Sequence, residues 1–103
     1  MLNTILKVTR LVNEMPIKSV AENSGVSYSC ISELEAGKKS PTITTLKSLA
    51  KIYNIKVSKL LLFEEIAIEQ NLNYQQILKM ILEYYVYEKN NENSNAQTLA
   101  KTK

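Results

Sequence analysis

Apolar residues recur at helical spacing along most of the chain, and nowhere do they alternate with the sustained period of two that marks a strand. Met1, Ile5, Val8, Val12 and Met15 fall at steps of four and three, placing them on one stripe of a first helix with Lys7, Arg10 and Glu14 off it. Pro16 has no N–H to lose in a first turn, and the segment from it to Asn23 offers Val20 and Ala21 for burial before Ser24-Gly25 interrupts it. The pattern predicts a short second helix there. Gly25 can take the positive φ of a tight turn, Val26 is placed to pack inward, and Ser27 can cap a third helix over Tyr28 to Ala36. On that helix Ile31 and Leu34 face inward. Ser29, Glu33 and Ala36 point most directly away, flanked by Cys30 and Ser32.

Gly37 ends the third helix, Lys38-Lys39-Ser40-Pro41 makes a basic turn, and Thr42 caps a fourth helix carrying Ile43, Leu46, Leu49, Ala50 and Tyr53. Asn54 serves as its left-handed stop. Ile55, Val57, Leu60 and Leu61 begin a fifth short helix. Between Glu64 and Asn71 a short amphipathic stretch presents Ile66 and Ile68, and Asn73 can cap a longer helix through Glu88, giving a helical hairpin. On the longer helix Tyr74, Ile77, Leu78, Ile81, Leu82 and Tyr85 form a continuous apolar stripe. Met80, Tyr84, Val86 and Tyr87 widen it past half the circumference. After Lys89 the run Asn90 to Asn95 has no apolar residue, and only Leu99 follows as a large one, so residues 90–103 are expected to be a disordered tail. The chain divides at this level into 1–63, 64–89 and 90–103, all of it α-helical or unstructured.

Composition narrows the chemistry. A chain of 103 residues can bury roughly two-thirds of its unfolded surface, enough for one small domain. With no His and one cysteine, Cys30, it cannot build a Ser-His-Asp or Cys-His nucleophilic site or a zinc cluster. All ten acids are Glu and none has calcium-loop spacing. No catalytic, cofactor or metal site is expected, and the chain does not read as an enzyme. A lone cysteine cannot close an intrachain disulfide, and the first residues lack the pattern of a signal peptide, so a cytoplasmic location is expected. The longest apolar runs, such as Leu60 to Phe63, fall far short of the roughly 20 residues that span a bilayer.

Charge separates the two halves. Residues 1–63 hold nine bases and four acids, whereas 64–103 hold four bases and six acids, within a net charge of +3. Any polyanion-binding surface therefore belongs to the first part, although many basic domains bind no nucleic acid.

The conjunction of Val20-Ala21 with Gly25-Val26-Ser27, then Ile31-Ser32 and Leu34-Glu35 with Gly37-Lys38, then Pro41 with Thr45-Leu46 and Leu49-Ala50-Lys51 resembles the lambda-repressor-like, Cro-type helix-turn-helix family, also called the xenobiotic-response-element family. The resemblance covers about residues 5 to 61. It implies five helices, with the third lying in the major groove of double-stranded DNA, and binding as a homodimer. Carried over by position, Tyr28, Ser29, Ser32 and Glu33 are the base-reading residues. Lys38 and Lys39, with Lys18, Ser27, Ser40 and Thr42, are the phosphate contacts. Each has a plainer alternative: Ser29 as surface, Tyr28 packing on Val26, Glu33 as a solvated charge, and the two lysines as a solubilising turn. The chain departs from the family pattern in having no Gln or Arg on the third helix, and in Pro16-Ile17 where the family often has Ser-Gln. Arg10, Lys47 and Lys51 read as solvated charges, Glu35 as a residue that fixes the following turn, and Cys30 as an inert thiol.

For the carboxyl-terminal part, the resemblance favours a dimerisation face of Tyr74, Ile77, Leu78, Ile81, Leu82, Tyr84 and Tyr85. Packing against the chain's own first domain, or a groove for a small protein or peptide antagonist, are the alternatives. The expected function is a transcriptional regulator, a repressor of bacterial, phage or plasmid origin. The alternative is the same fold used as an antitoxin-like or antagonist-binding interaction module with weak DNA binding.

Overall fold

A computed structural model describes residues 1–90 in full and, beyond them to Thr102, only the backbone course of the last helix; the tail expected to be disordered, 90–103, lies almost wholly outside the fully described residues. The chain is all-helical in the order α1 (Leu2–Val12), α2 (Ile17–Ser24), α3 (Tyr28–Glu35), α4 (Ile43–Ile52), α5 (Val57–Glu69) and α6 (Tyr74–Thr102).

The junctions have local causes. Gly25 sits at φ +77° and donates its N–H to the Ala21 carbonyl at 3.2 Å, closing α2 in a conformation that a side chain strains. The Thr42 hydroxyl accepts from the Thr45 N–H at 3.1 Å and starts α4. Asn54, at φ +52°, turns the chain out of α4. Before α6, Asn73 Oδ1 accepts from the Gln76 N–H and Gln76 Oε1 accepts from the Asn73 N–H, each at 2.9 Å, a reciprocal cap that satisfies two otherwise orphaned donors.

Two elements differ from the pattern-based expectation. α1 ends at Val12 rather than carrying Met15 on the same stripe, because Glu14 turns left-handed at φ +56° and Met15 packs on the core from the loop. α5 runs unbroken to Glu69, so the stretch from Glu64 is its second half and the boundary expected at residue 63 falls inside a helix. Phe63 and Ala67, four apart and both buried, carry its inner face across that point.

α1 is the centre of the packing, touching α3, α5 and α6, while α2 lies against α3 and α4. Ile5, Val8, Val20, Ile31, Leu34, Leu49 and Leu60 form the middle of one core. Ile77 and Ile81 of α6 enter the same core, and the Tyr85 hydroxyl donates to the Tyr53 carbonyl at 2.7 Å. Tyr84 meets Phe63 edge to face at 5.4 Å. The inner side of α6 is thus packed on its own chain, and its outer side keeps Tyr74, Leu82, Val86 and Tyr87 exposed.

Arg10 corrects the sequence reading outright. It is buried rather than solvated, with Nε and Nη2 donating to the Glu35 carboxylate at 2.7 and 2.9 Å and Nη1 donating to the Met15 carbonyl at 3.0 Å. The hydrogen bond to Glu35 holds its guanidinium above the usual arginine range, opposing the effect of burial.

Candidate nucleic-acid interface

α2, the turn Gly25 to Ser27, and α3 make the helix-turn-helix. Three features fix α3. Ser27 Oγ accepts from the Cys30 N–H at 3.1 Å at its start. Ile31 and Leu34 anchor its inner face in the core. At its end Gly37 turns left-handed at φ +76° and the Lys38 N–H returns to the Glu33 carbonyl at 2.9 Å. A Cβ on Gly37 would also meet Asn3 Nδ2 at 3.2 Å, so that turn is set by the approach of α1 as well as by φ.

The remaining face is open. Tyr28 is 57% exposed at the amino end, and Ser29, Ser32 and Glu33 are exposed along the helix. The structure therefore brings all four residues assigned to base reading onto one surface. Cys30 is half-buried at the margin of this face.

Lys38, Ser40 and Thr42 are exposed in the turn that follows, with Lys18 exposed in the first turn of α2. Two of the hydroxyls assigned to phosphate already have work within the protein: Ser27 caps α3, and Thr42 caps α4 while donating to Thr45 Oγ1 at 3.0 Å. Lys39 is engaged too. Its Nζ stands 3.4 Å from Glu33 Oε2, and its pKa is raised, first by a hydrogen bond with the Cys30 thiol and then by Glu33, against an opposing loss of hydration. The ammonium thus lies over the one acid on the exposed face of α3.

Sequence reasoning missed Arg10 as a positioning residue. The pair with Glu35 ties α1 to the last turn of α3, and so sets how the exposed face of α3 sits on the domain. Leu6, Thr9 and Arg10 are all buried on a second side of α1, and no signal in the sequence marks Arg10 for it, since its residue type reads as a solvated charge.

Among the described residues no group of three or more His, Cys, Asp or Glu could hold a metal ion, and no helix is long and apolar enough to cross a membrane. Residues 10–60 match a family described as Helix-turn-helix. No curated protein and no solved structure matches the chain.

Proposed function

The chain belongs to the helix-turn-helix family of DNA-binding domains through residues 10–60, and on that premise we propose that it is a sequence-specific transcriptional regulator that seats α3 in the major groove of operator DNA. The major groove admits a helix and shows a different donor and acceptor pattern for each base pair. The Ser29 and Ser32 hydroxyls can donate to or accept from base edges, and the Glu33 carboxylate accepts from a cytosine amino group. Tyr28, at the amino end, reaches a base or the adjoining backbone. Lys38 and Lys39 neutralise phosphates after α3, and Lys18 does so at the start of α2.

The observation that carries this reading is the union of a short, rigidly capped α3 whose exposed face is polar with a two-lysine turn directly after it. The Lys39–Glu33 pair supports it, because a carboxylate near phosphates is repulsive unless a cation accompanies it. The set lacks the bidentate Arg and Gln contacts that give the strongest discrimination, so specificity per base pair is modest.

The regulator acts as a homodimer through the outer side of α6. Ile77 and Ile81 are occupied by the chain's own core, which leaves Tyr74, Leu78, Leu82 and Val86, four residues apart, as the pairing stripe, with Tyr84 and Tyr85 at its inner margin. Two α3 helices then meet half-sites about one helical turn apart, and occupancy of the operator represses transcription.

Fluorescence anisotropy with DNA from upstream of its own gene tests this. Preference over a scrambled duplex, weakening steeply with salt and lost in Lys38→Ala/Lys39→Ala, is expected. Tight binding that is indifferent to salt would contradict it.

A further inference from the structure

Outside the helix-turn-helix, the chain has a second concave surface where α6 meets the carboxyl ends of α1 and α4 and the start of α5. It is a half-open groove of about 710 Å³, and no residue of α2 or α3 lines it. Its inner wall is apolar and aromatic, formed by Ala50, Ile55 and the rings of Tyr84 and Tyr85. Its outer wall is cationic. Lys51, Lys56 and Lys89 all line it, all are exposed, and none makes an ion pair among the described residues. One carboxylate, Glu88, opposes them.

With three lysines against one glutamate the lining is net cationic, which favours an anion. The Tyr84 ring already has Lys59 Nζ 5.6 Å from its centroid and edge contacts with Phe63 and Tyr85, so the apolar part of a ligand falls to Ala50, Ile55 and Tyr85; an inorganic anion would use the lysines alone, and a neutral aromatic would leave the charge uncompensated. We propose that this groove binds a small organic anion with a flat apolar body, an aromatic carboxylate or sulfonate, its ring along the wall of Ala50, Ile55 and Tyr85 and its charge among Lys51, Lys56 and Lys89. Such a ligand bridges α6 to α4 and α5, and so fastens the helix whose outer side is the pairing stripe. The proposal is independent of DNA binding.

Anilinonaphthalene sulfonate, an aromatic anion that brightens when it leaves water, is the probe, with neutral phenylnaphthylamine as its uncharged counterpart. The full chain should bind one sulfonate per molecule saturably and the neutral compound far more weakly. Lys51→Glu/Lys56→Glu should weaken the sulfonate by about tenfold or more, and Lys89→Glu by a smaller factor, with thermal melts confirming that each variant is folded. Lys38→Ala/Lys39→Ala and Leu82→Ser/Val86→Ser should bind as the parent does. Unchanged affinity in the folded Lys51→Glu/Lys56→Glu chain, equal binding of the neutral compound, or loss of binding in Leu82→Ser/Val86→Ser would overturn the site.

Discussion

α3 and α6 both present an exposed face, but the two are built in opposite ways. α3 is eight residues long, fixed by a serine cap, a glycine turn and a buried ion pair, and what it exposes is Tyr28, Ser29, Ser32 and Glu33. α6 starts with a cap as strong, yet what it exposes over its described part includes Leu82, Val86 and Tyr87, at 48%, 53% and 62%. A polar face on a short, immobilised helix suits reading hydrogen-bond patterns, where position matters more than area. An apolar stripe gains from burial in proportion to area, and tolerates small shifts in position. The contrast suits the proposed division of roles, recognition by α3 and assembly by α6.

The comparison can be broken by disturbing each helix at its support and at its face. The largest effect is expected at the supports. Glu35→Ala leaves the Arg10 guanidinium buried without its partner and should cost about 3 kcal/mol in denaturant unfolding, loosening α3 where it meets α1. Ile81→Ala, in the core part of α6, should cost a similar amount, about 3 kcal/mol, while Leu82→Ala next to it should stay within about 0.5 kcal/mol. Equal costs at 81 and 82 would contradict the two-sided reading of α6.

At the face of α6 the effect moves from stability to mass. Leu82→Glu/Val86→Glu should give monomers in light scattering that still fold, with a melt lowered only by the lost association, and a dimer that survives both charges would remove α6 from the pairing surface.

Tyr85 fastens α6 to the rest of the chain, since its hydroxyl ties the helix to the end of α4. Burial, with a smaller contribution from Tyr84 and against a hydrogen bond from Asn13, pushes its pKa from 10.0 up to about 12. The neutral phenol is therefore the form the fold holds. Its contribution to stability is complete below pH 10.0 and is lost as the pH rises toward about 12. Tyr85→Phe should cost about 1 kcal/mol at neutral pH and flatten the alkaline fall in unfolding free energy. The smallest effect lies at the reading face: Lys38→Ala should leave stability unchanged and reduce the salt slope of DNA binding by about one.

Much of the fold is legible in the residues because its turns are local. Gly25, Gly37, Asn54, Thr42 and Asn73 each mark a junction through their own backbone or side-chain chemistry, and each stands where the pattern placed it. The exposed face of α3 is legible for a related reason: with Ile31 and Leu34 inward, helical geometry decides what faces out. Arg10 and Lys39 were not legible because their partners, Glu35 and Glu33, reach them through the tertiary fold and the turn after α3. Charge type alone does not show which bases are solvated. The continuation of α5 past Phe63 was hidden as well, since Ile66 and Ile68 suggest a separate stripe while the buried positions are Phe63 and Ala67. The division of α6 into a core side and an outer side depends on where α1 and α5 lie, which periodicity does not specify.

The most direct test of the central claim is a backbone amide NMR titration of the full chain with an operator duplex selected from random sequence. The account predicts that the largest shift changes fall on Tyr28 to Glu33 and on Lys38 to Thr42, with the amides from Tyr74 to Val86 nearly still. Changes concentrated along α6, with α3 unmoved, would contradict it.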